Sequence, residues 1–141
     1  MIDSLLRLVM RKQAEVSELL VSGIMFFWGV WLMNPFWDTF SLTVFEGFSR
    51  FGPEEIWGAV YGMVGLIGMV SAMTSKYKLR KAVIFLQIML WAFVATAFVI
   101  STPETTAVPV YIMLSVVCFW LYIKLVFFEL AHNEILKHYR R

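Results

Sequence analysis

The stretch GPEEIWGAVYGMVGLIGMVSAM, residues 52–73, decides the fold that this chain can adopt. It opens with Gly52, which can be the N-cap residue, and Pro53, which can occupy the first helical position, where its missing N–H costs nothing. Glu54 and Glu55 follow, and carboxylates in a first turn complement the positive end of the helix dipole. No charged residue occurs between positions 56 and 73, which is long enough to cross the hydrocarbon core of a bilayer. The stretch therefore predicts a transmembrane helix.

Small residues recur along this predicted helix at spacings close to the helical repeat, and they share one broad face. In lipid, small side chains allow another helix to approach closely. The sequence leaves open whether the neighbour is a helix of the same monomer or a second copy of the chain. The predicted packing or oligomer interface consists of Gly58, Gly62, Gly65, Gly68 and Ala72.

Composition assigns the whole chain to the membrane. Of its 141 residues, 60% are apolar and 16% are charged, whereas soluble domains are about half apolar and about a quarter charged. The apolar residues are concentrated in blocks, which is typical of an integral membrane protein. The first block is not followed by a small-residue cleavage site, so we expect no removable signal peptide.

Four apolar blocks predict an all-α membrane protein with transmembrane helices at about residues 18–33, 55–73, 82–101 and 107–128. Together they form a predicted transmembrane domain, residues 17–129. Residues 130–141 are predicted to be a cytoplasmic polar tail. Residues 1–16 are predicted to be a cytoplasmic amphipathic segment, either a short helix on the membrane surface or a helical extension of the first span.

A second interfacial helix is predicted in the first outer loop, at residues 37–51. Aromatic residues recur there at spacings of three and four, which is typical of a helix that lies at a membrane surface. Such a helix could wedge into the outer leaflet or offer a docking surface, or it could only cap the bundle. The predicted outer aromatic face consists of Trp37, Phe40, Phe48, Phe51 and Trp57.

Basic residues predict the orientation. The connection between the second and third spans carries four basic residues and no acid, whereas the opposite side has Arg50 alone against five acidic residues. The positive-inside rule therefore places both termini in the cytoplasm. We expect the basic residues to contact anionic lipid headgroups, and we expect no nucleic acid partner, since topology already explains these charges. The predicted lipid contacts are Lys76, Lys78, Arg80, Lys81, Arg140 and Arg141.

The sequence offers little chemistry. The central thirds of the four spans lack charged groups, which disfavours a proton-coupled transporter or an intramembrane hydrolase. Gln87 is the strongly polar side chain of the third span, and it could bond to a neighbouring helix. Glu129 and His132 have the Glu-x-x-His spacing of di-iron bundles, but the second pair that such a site needs is missing. We expect no enzyme, no catalytic residue, no metal site and no cofactor. The lone cysteine, Cys118, lies in an apolar run, where a thiol is inert.

The sequence from Phe51 to Gly58 resembles a loose group of small four-helix membrane proteins encoded by bacteriophages and prophages. Their pattern Pro-Glu-x-x-Trp-Gly is matched here by Pro53, Glu54, Trp57 and Gly58. A glycine-rich span, a basic turn and a third span containing Trp91 follow in the same order, so that the likeness covers about residues 29–124. The resemblance implies a phage setting or a bacterial inner membrane, and it implies no activity.

The function that we expect is that of a non-catalytic inner-membrane protein, phage-encoded and self-associating, which is holin-like or remodels the membrane. The first alternative is an accessory or structural subunit, or a superinfection-exclusion protein, that docks to a larger membrane complex. The second alternative is a homo-oligomeric channel. The expected partners are membrane lipids and either further copies of the chain or another membrane protein.

Overall fold

The computed structural model describes the backbone of residues 2–34, 36, 52–74 and 76–139, and the side chains from residue 15 to residue 131 within these ranges. The described chain is all-helical. It contains four helices: α1 (Ile2–Leu32), α2 (Glu54–Ala72), α3 (Tyr77–Ser101) and α4 (Ala107–Tyr139). The interfacial helix predicted at residues 37–51 lies outside the described residues.

Each helix contains a segment that is long and apolar enough to cross a membrane. The prediction of four such helices is therefore confirmed, although their bounds differ from the predicted ones. The candidate segments are Glu15–Leu32, Glu54–Ala72, Tyr77–Ser101 and Ala107–Ala131. The third helix begins at Tyr77, earlier than the predicted boundary near residue 82. Lysine and arginine are good helix formers, so the basic residues that limit the hydropathic span do not limit the helix.

The first helix is continuous from Ile2 to Leu32. Its 31 residues correspond to a length of about 46 Å. Residues 2–16 therefore continue the first span, which agrees with the predicted helical extension and not with a separate N-terminal helix. The polar tail is helical as well, because α4 extends to Tyr139.

The start of α2 follows from the sequence signals. Pro53, and not Gly52, is the N-cap residue, in an extended conformation (φ −68°, ψ 154°), so that the helix begins one residue later than predicted; Glu54 and Glu55 occupy the first turn. Gly52 has a φ of +147°, which a residue with a Cβ rarely adopts. The Gly-Pro-Glu-Glu sequence thus turns the chain into the helix and compensates the helix dipole.

The helices form a four-helix bundle. α1 packs mainly on α2, and α3 packs mainly on α4, while α2 with α3 and α1 with α4 touch less extensively. α1 and α3 therefore lie on a diagonal of the bundle, and side chains that join them cross its axis. The core includes Met25, Trp91, Val94, Cys118 and Leu125, all fully buried.

Candidate functional site

A buried ion pair joins α1 to α3 at the end of the bundle where α2 connects to α3, which we call the basic end. Arg80 Nε donates to Glu18 Oε2 at 2.8 Å, and Arg80 Nη2 donates to Glu18 Oε1 at 2.6 Å. Glu18 and Arg80 are each 2% exposed. Glu15 Oε1 lies 3.9 Å from Arg80 Nη1 and is partly exposed. Both buried charges therefore depend on each other for stabilisation.

A second ion pair at the basic end joins α3 to α4. Lys81 Nζ pairs with the Glu129 carboxylate, so consecutive residues of α3 bind to two different helices. The first turn of α3 contains no acidic residue, and its own dipole places positive charge there. Glu18 and Glu129 supply the negative charge from the neighbouring helices, which fixes the start of α3 between α1 and α4.

A hydrogen bond joins the same diagonal helices deeper in the bundle. Gln87 Nε2 donates to Ser22 Oγ at 2.9 Å, and both side chains are almost fully buried. A Cβ at Gly68 would lie 2.5 Å from Gln87 Nε2 and 2.9 Å from Ser22 Cβ. Glycine at position 68 therefore lets α2 lie against this pair without displacing it. The prediction that Gln87 bonds to a neighbouring helix is confirmed.

An aromatic cluster fills the bundle axis beyond this hydrogen bond, away from the basic end. It contains one ring from each helix: Trp28, Tyr61, Trp91 and Tyr111. The Trp28 ring lies 4.6 Å from that of Tyr61 and 5.6 Å from that of Trp91, and Trp91 stacks on Tyr111 at 5.7 Å. Tyr61 Oη donates to the backbone oxygen of Leu90 at 2.8 Å. Edge and offset contacts of this kind are favourable ring geometries.

The small-residue face of α2 packs against α1 within the monomer. A Cβ at Gly65 would lie 2.7 Å from Phe26 Cα, and a Cβ at Gly58 would lie 3.0 Å from the backbone oxygen of Gly29. A Cβ at Gly29 would in turn lie 2.7 Å from Gly62 Cα, although a Cβ at Gly62 itself would meet nothing within 4 Å. Of the two neighbours that the sequence left open, the structure provides a helix of the same monomer. The remaining members of the face, Gly68 and Ala72, are buried as well.

The predicted outer aromatic face is represented in the described residues by Trp57. Its ring stacks on Phe93 at 5.0 Å and 18° and lies 6.3 Å from the ring of Tyr61. Trp57 is therefore packed between helices of the monomer. The other members of this predicted face, Trp37, Phe40, Phe48 and Phe51, lie outside the described residues.

The predicted lipid-binding residues differ in their surroundings. Lys76 and Lys78 are exposed at the basic end. Arg80 corrects the prediction, because its guanidinium is buried against Glu18 and does not face headgroups. Lys81 is half-buried and paired with Glu129. Arg140 and Arg141 lie outside the described residues.

The described side chains, from residue 15 to 34, at 36, and from 52 to 74 and 76 to 131, contain no group of three His, Cys, Asp or Glu residues that could hold a metal ion. Glu129 is engaged by Lys81, and the side chain of His132 is not among those described. Cys118 is fully buried. Several polar groups of the described core bind one another across the bundle, among them Glu18 with Arg80 and Ser22 with Gln87.

Two residues of this core were missed in the sequence. Glu18 stands at the start of the first apolar block, and Gly29 lies opposite the glycine face of α2. A signal was present, because Glu15, Glu18, Ser22 and Gly29 are spaced by three, four and seven residues and share one face of a helix. The spacing does not predict which residues of α2 and α3 this face contacts.

No protein-family model matches this sequence, and comparisons with curated proteins and with solved structures found no match. The resemblance to phage-encoded membrane proteins therefore stays a prediction.

Proposed function

We propose that this chain is a non-catalytic inner-membrane protein that self-associates and acts as a holin-like or membrane-remodelling component, with both termini in the cytoplasm. The pairing of buried polar groups supports a structural role for them. The outward faces of all four helices carry large apolar side chains, among them Phe27, Ile67, Phe85 and Phe119. Such a bundle acts through contacts with lipid and with other proteins.

The observation that carries this proposal is the uncovered face of α4. Only 17% of its candidate span is buried within the monomer, against 44% for α3. Phe119 and Trp120 on this helix are 55% and 56% exposed. An apolar face of this extent is available to a second copy of the chain.

The depth of Trp120 favours protein over lipid as its neighbour. It lies nine residues before Glu129, which is about 13 Å along the helix. With the basic end at the headgroup boundary, Trp120 lies near the middle of a hydrocarbon core about 30 Å thick. Tryptophan prefers the membrane interface to the bilayer centre. We therefore place self-association on α4, since α1 already occupies the glycine face of α2.

The test compares Trp120→Leu with a matched variant, Phe27→Leu, on the exposed face of α1, where Phe27 is 72% exposed. Cross-linking in native membranes and sedimentation in mild detergent measure assembly, and a potential-sensitive dye follows depolarisation after induced expression. We expect a defined wild-type oligomer and depolarisation, both weakened about tenfold by Trp120→Leu and unchanged by Phe27→Leu. A monomeric wild-type chain, or equal assembly of the two variants, would contradict the proposal.

The second candidate is an accessory subunit or a superinfection-exclusion protein that docks to a larger membrane complex. It is favoured by the helical ends that continue past the candidate spans, residues 2–14 of α1 and 132–139 of α4. Lys76 and Lys78 are exposed beside them, and we propose that these two lysines, with Arg140 and Arg141, contact anionic headgroups. Normal growth with one co-purifying membrane protein in the same experiment would favour this candidate.

A homo-oligomeric channel is the third candidate, and it is constrained by the filled axis. The aromatic cluster closes the centre of the monomer with one ring from each helix. A conducting path would therefore have to run between copies. The phage setting of all three candidates depends on the resemblance around Pro53 and Trp57.

A further inference from the structure

Two buried polar atoms of α3 have no hydrogen-bond partner among the described residues: Gln87 Oε1 and Trp91 Nε1. The Gln87 side chain is 1% exposed and Trp91 is 0% exposed. Nearly all buried polar groups in proteins are hydrogen-bonded to protein or to ordered water. In a helix bundle that excludes solvent, an unsatisfied carbonyl oxygen and an unsatisfied indole N–H are both unfavourable.

The two atoms are complementary, and their residues are neighbours along the helix. Gln87 and Trp91 are four residues apart, one turn of α3, and therefore lie on the same helix face. An amide oxygen accepts hydrogen bonds and an indole nitrogen only donates. The amide nitrogen of Gln87 is already engaged by Ser22, so that the oxygen is the group left for a further partner.

We propose that a water molecule binds in the core of the bundle between Gln87 and Trp91. It accepts a hydrogen bond from the Trp91 indole and donates one to the Gln87 amide oxygen. Buried waters commonly satisfy two to four such groups. The same water also fits the other orientation of the Gln87 amide, in which the nitrogen and not the oxygen faces it. The Gln87 amide N–H and the Trp91 indole N–H then both donate to the water, which accepts them with its two lone pairs.

This water extends a polar column that begins at the basic end. The column runs from the partly exposed Glu15 to the Glu18–Arg80 pair, and then to Ser22 and Gln87. Trp91 ends it, because this residue also belongs to the aromatic cluster.

Nuclear magnetic resonance of the full chain in lipid nanodiscs, with ¹⁵N-labelled tryptophan, tests this site directly. Trp91→Phe assigns the Trp91 indole signal, and cross-peaks to water are recorded for every indole. We expect a water cross-peak at Trp91 that falls at least about fivefold in Gln87→Leu. Trp28, whose indole nitrogen is not among the buried atoms that lack a partner, is the internal control and should show none. A Trp91 indole without a water cross-peak, or one unchanged in Gln87→Leu, would overturn the proposal.

A double-mutant cycle provides a second requirement, because a water shared by the two groups must couple them. The variants are Gln87→Leu, Trp91→Phe and their combination, with Gln87→Met in place of leucine if that chain does not accumulate. A shared water makes the two changes non-additive, by a factor of about three or more in the unfolding equilibrium constant. Additive effects would show that no water links the two groups.

Discussion

The two halves of the bundle axis join the same diagonal helices in different ways. Near the basic end, α1 and α3 are joined by the Glu18–Arg80 ion pair and by the Ser22–Gln87 hydrogen bond. Further along, Trp28 and Trp91 meet at 5.6 Å within the aromatic cluster. The first half uses a few directional pairs, and the second half uses shape and volume.

This difference determines how each half responds to change. Lipid tails are as apolar as leucine, so that packing and hydrogen bonds, and not burial from water, hold helices together in a membrane. A polar pair fixes the register of two helices, but removal of one partner leaves a buried polar or charged group unpaired, which destabilises the fold. A ring cluster spreads its contacts over four helices and tolerates the loss of any single polar atom. Substitutions in each half test this contrast.

Arg80→Ala should be the most damaging single change in the polar half. It leaves the Glu18 carboxylate, which is 2% exposed, without its bidentate partner, and removal of one member of a buried ion pair costs about 3–5 kcal/mol. The free energy of unfolding, measured by denaturant titration in mixed micelles, should fall accordingly. Lys78→Ala, two residues away and exposed, should change it by less than about 0.5 kcal/mol.

A double variant separates the need for charge from the need for pairing. Glu18→Leu combined with Arg80→Met removes both charges, and well-packed apolar replacements of a buried ion pair are often neutral or stabilising. We expect the double variant to recover most of the stability lost in Arg80→Ala. If Arg80→Ala behaves like Lys78→Ala, the ion pair does not hold the basic end together.

Glycine replacements should show that α1 and α2 are held by close backbone approach. Gly65→Ala places a methyl group 2.7 Å from Phe26 Cα and 2.8 Å from the backbone oxygen of Ser22, and overpacking of this kind costs about 1–3 kcal/mol. Gly62→Ala, three residues earlier, meets nothing within 4 Å. It should be neutral or stabilise the helix by up to about 1 kcal/mol.

The same micelle titration distinguishes these two alanine variants. Equal losses of stability would mean that α1 does not lie against Gly65 as described. Cross-linking of both variants provides a further check. If the oligomer depends on Gly65 and not on α4, then the glycine face of α2 forms the contact between copies.

The sequence predicted the parts of this fold that depend on local pattern. The four spans, the start of α2 after Pro53 and the small-residue face of α2 all follow from periodicity and composition within one segment. The partner of Arg80 could not be predicted, because Glu18 is 62 residues away along the chain. Arg80 is also one of the basic residues from which the orientation was predicted, and the positive-inside rule does not reveal whether such a residue is exposed.

The start of α3 and the role of Gly29 were missed for a related reason. Hydropathy places the start of the third span after Lys81, because lysine and arginine are not apolar. The helix itself begins earlier, at Tyr77, since acidic residues on other helices compensate the basic charges of its first turn. Gly29 is one of two glycines on α1, and it becomes informative only when the glycine face of α2 is placed against it. Both features depend on contacts between distant segments.

Removal of one hydrogen bond from each half should cost less stability and provides a finer comparison. Tyr61→Phe removes the hydroxyl that donates to Leu90 O at 2.8 Å, but this carbonyl lies within α3 and keeps its helical acceptor role. The loss should be about 0.5 kcal/mol, since the ring stays in the cluster. Ser22→Ala instead leaves the fully buried Gln87 Nε2 without its partner, which should cost about 1–2 kcal/mol. If Tyr61→Phe proves as costly as Ser22→Ala in the unfolding titration, then the aromatic half also depends on directional pairing, and the contrast between the halves fails.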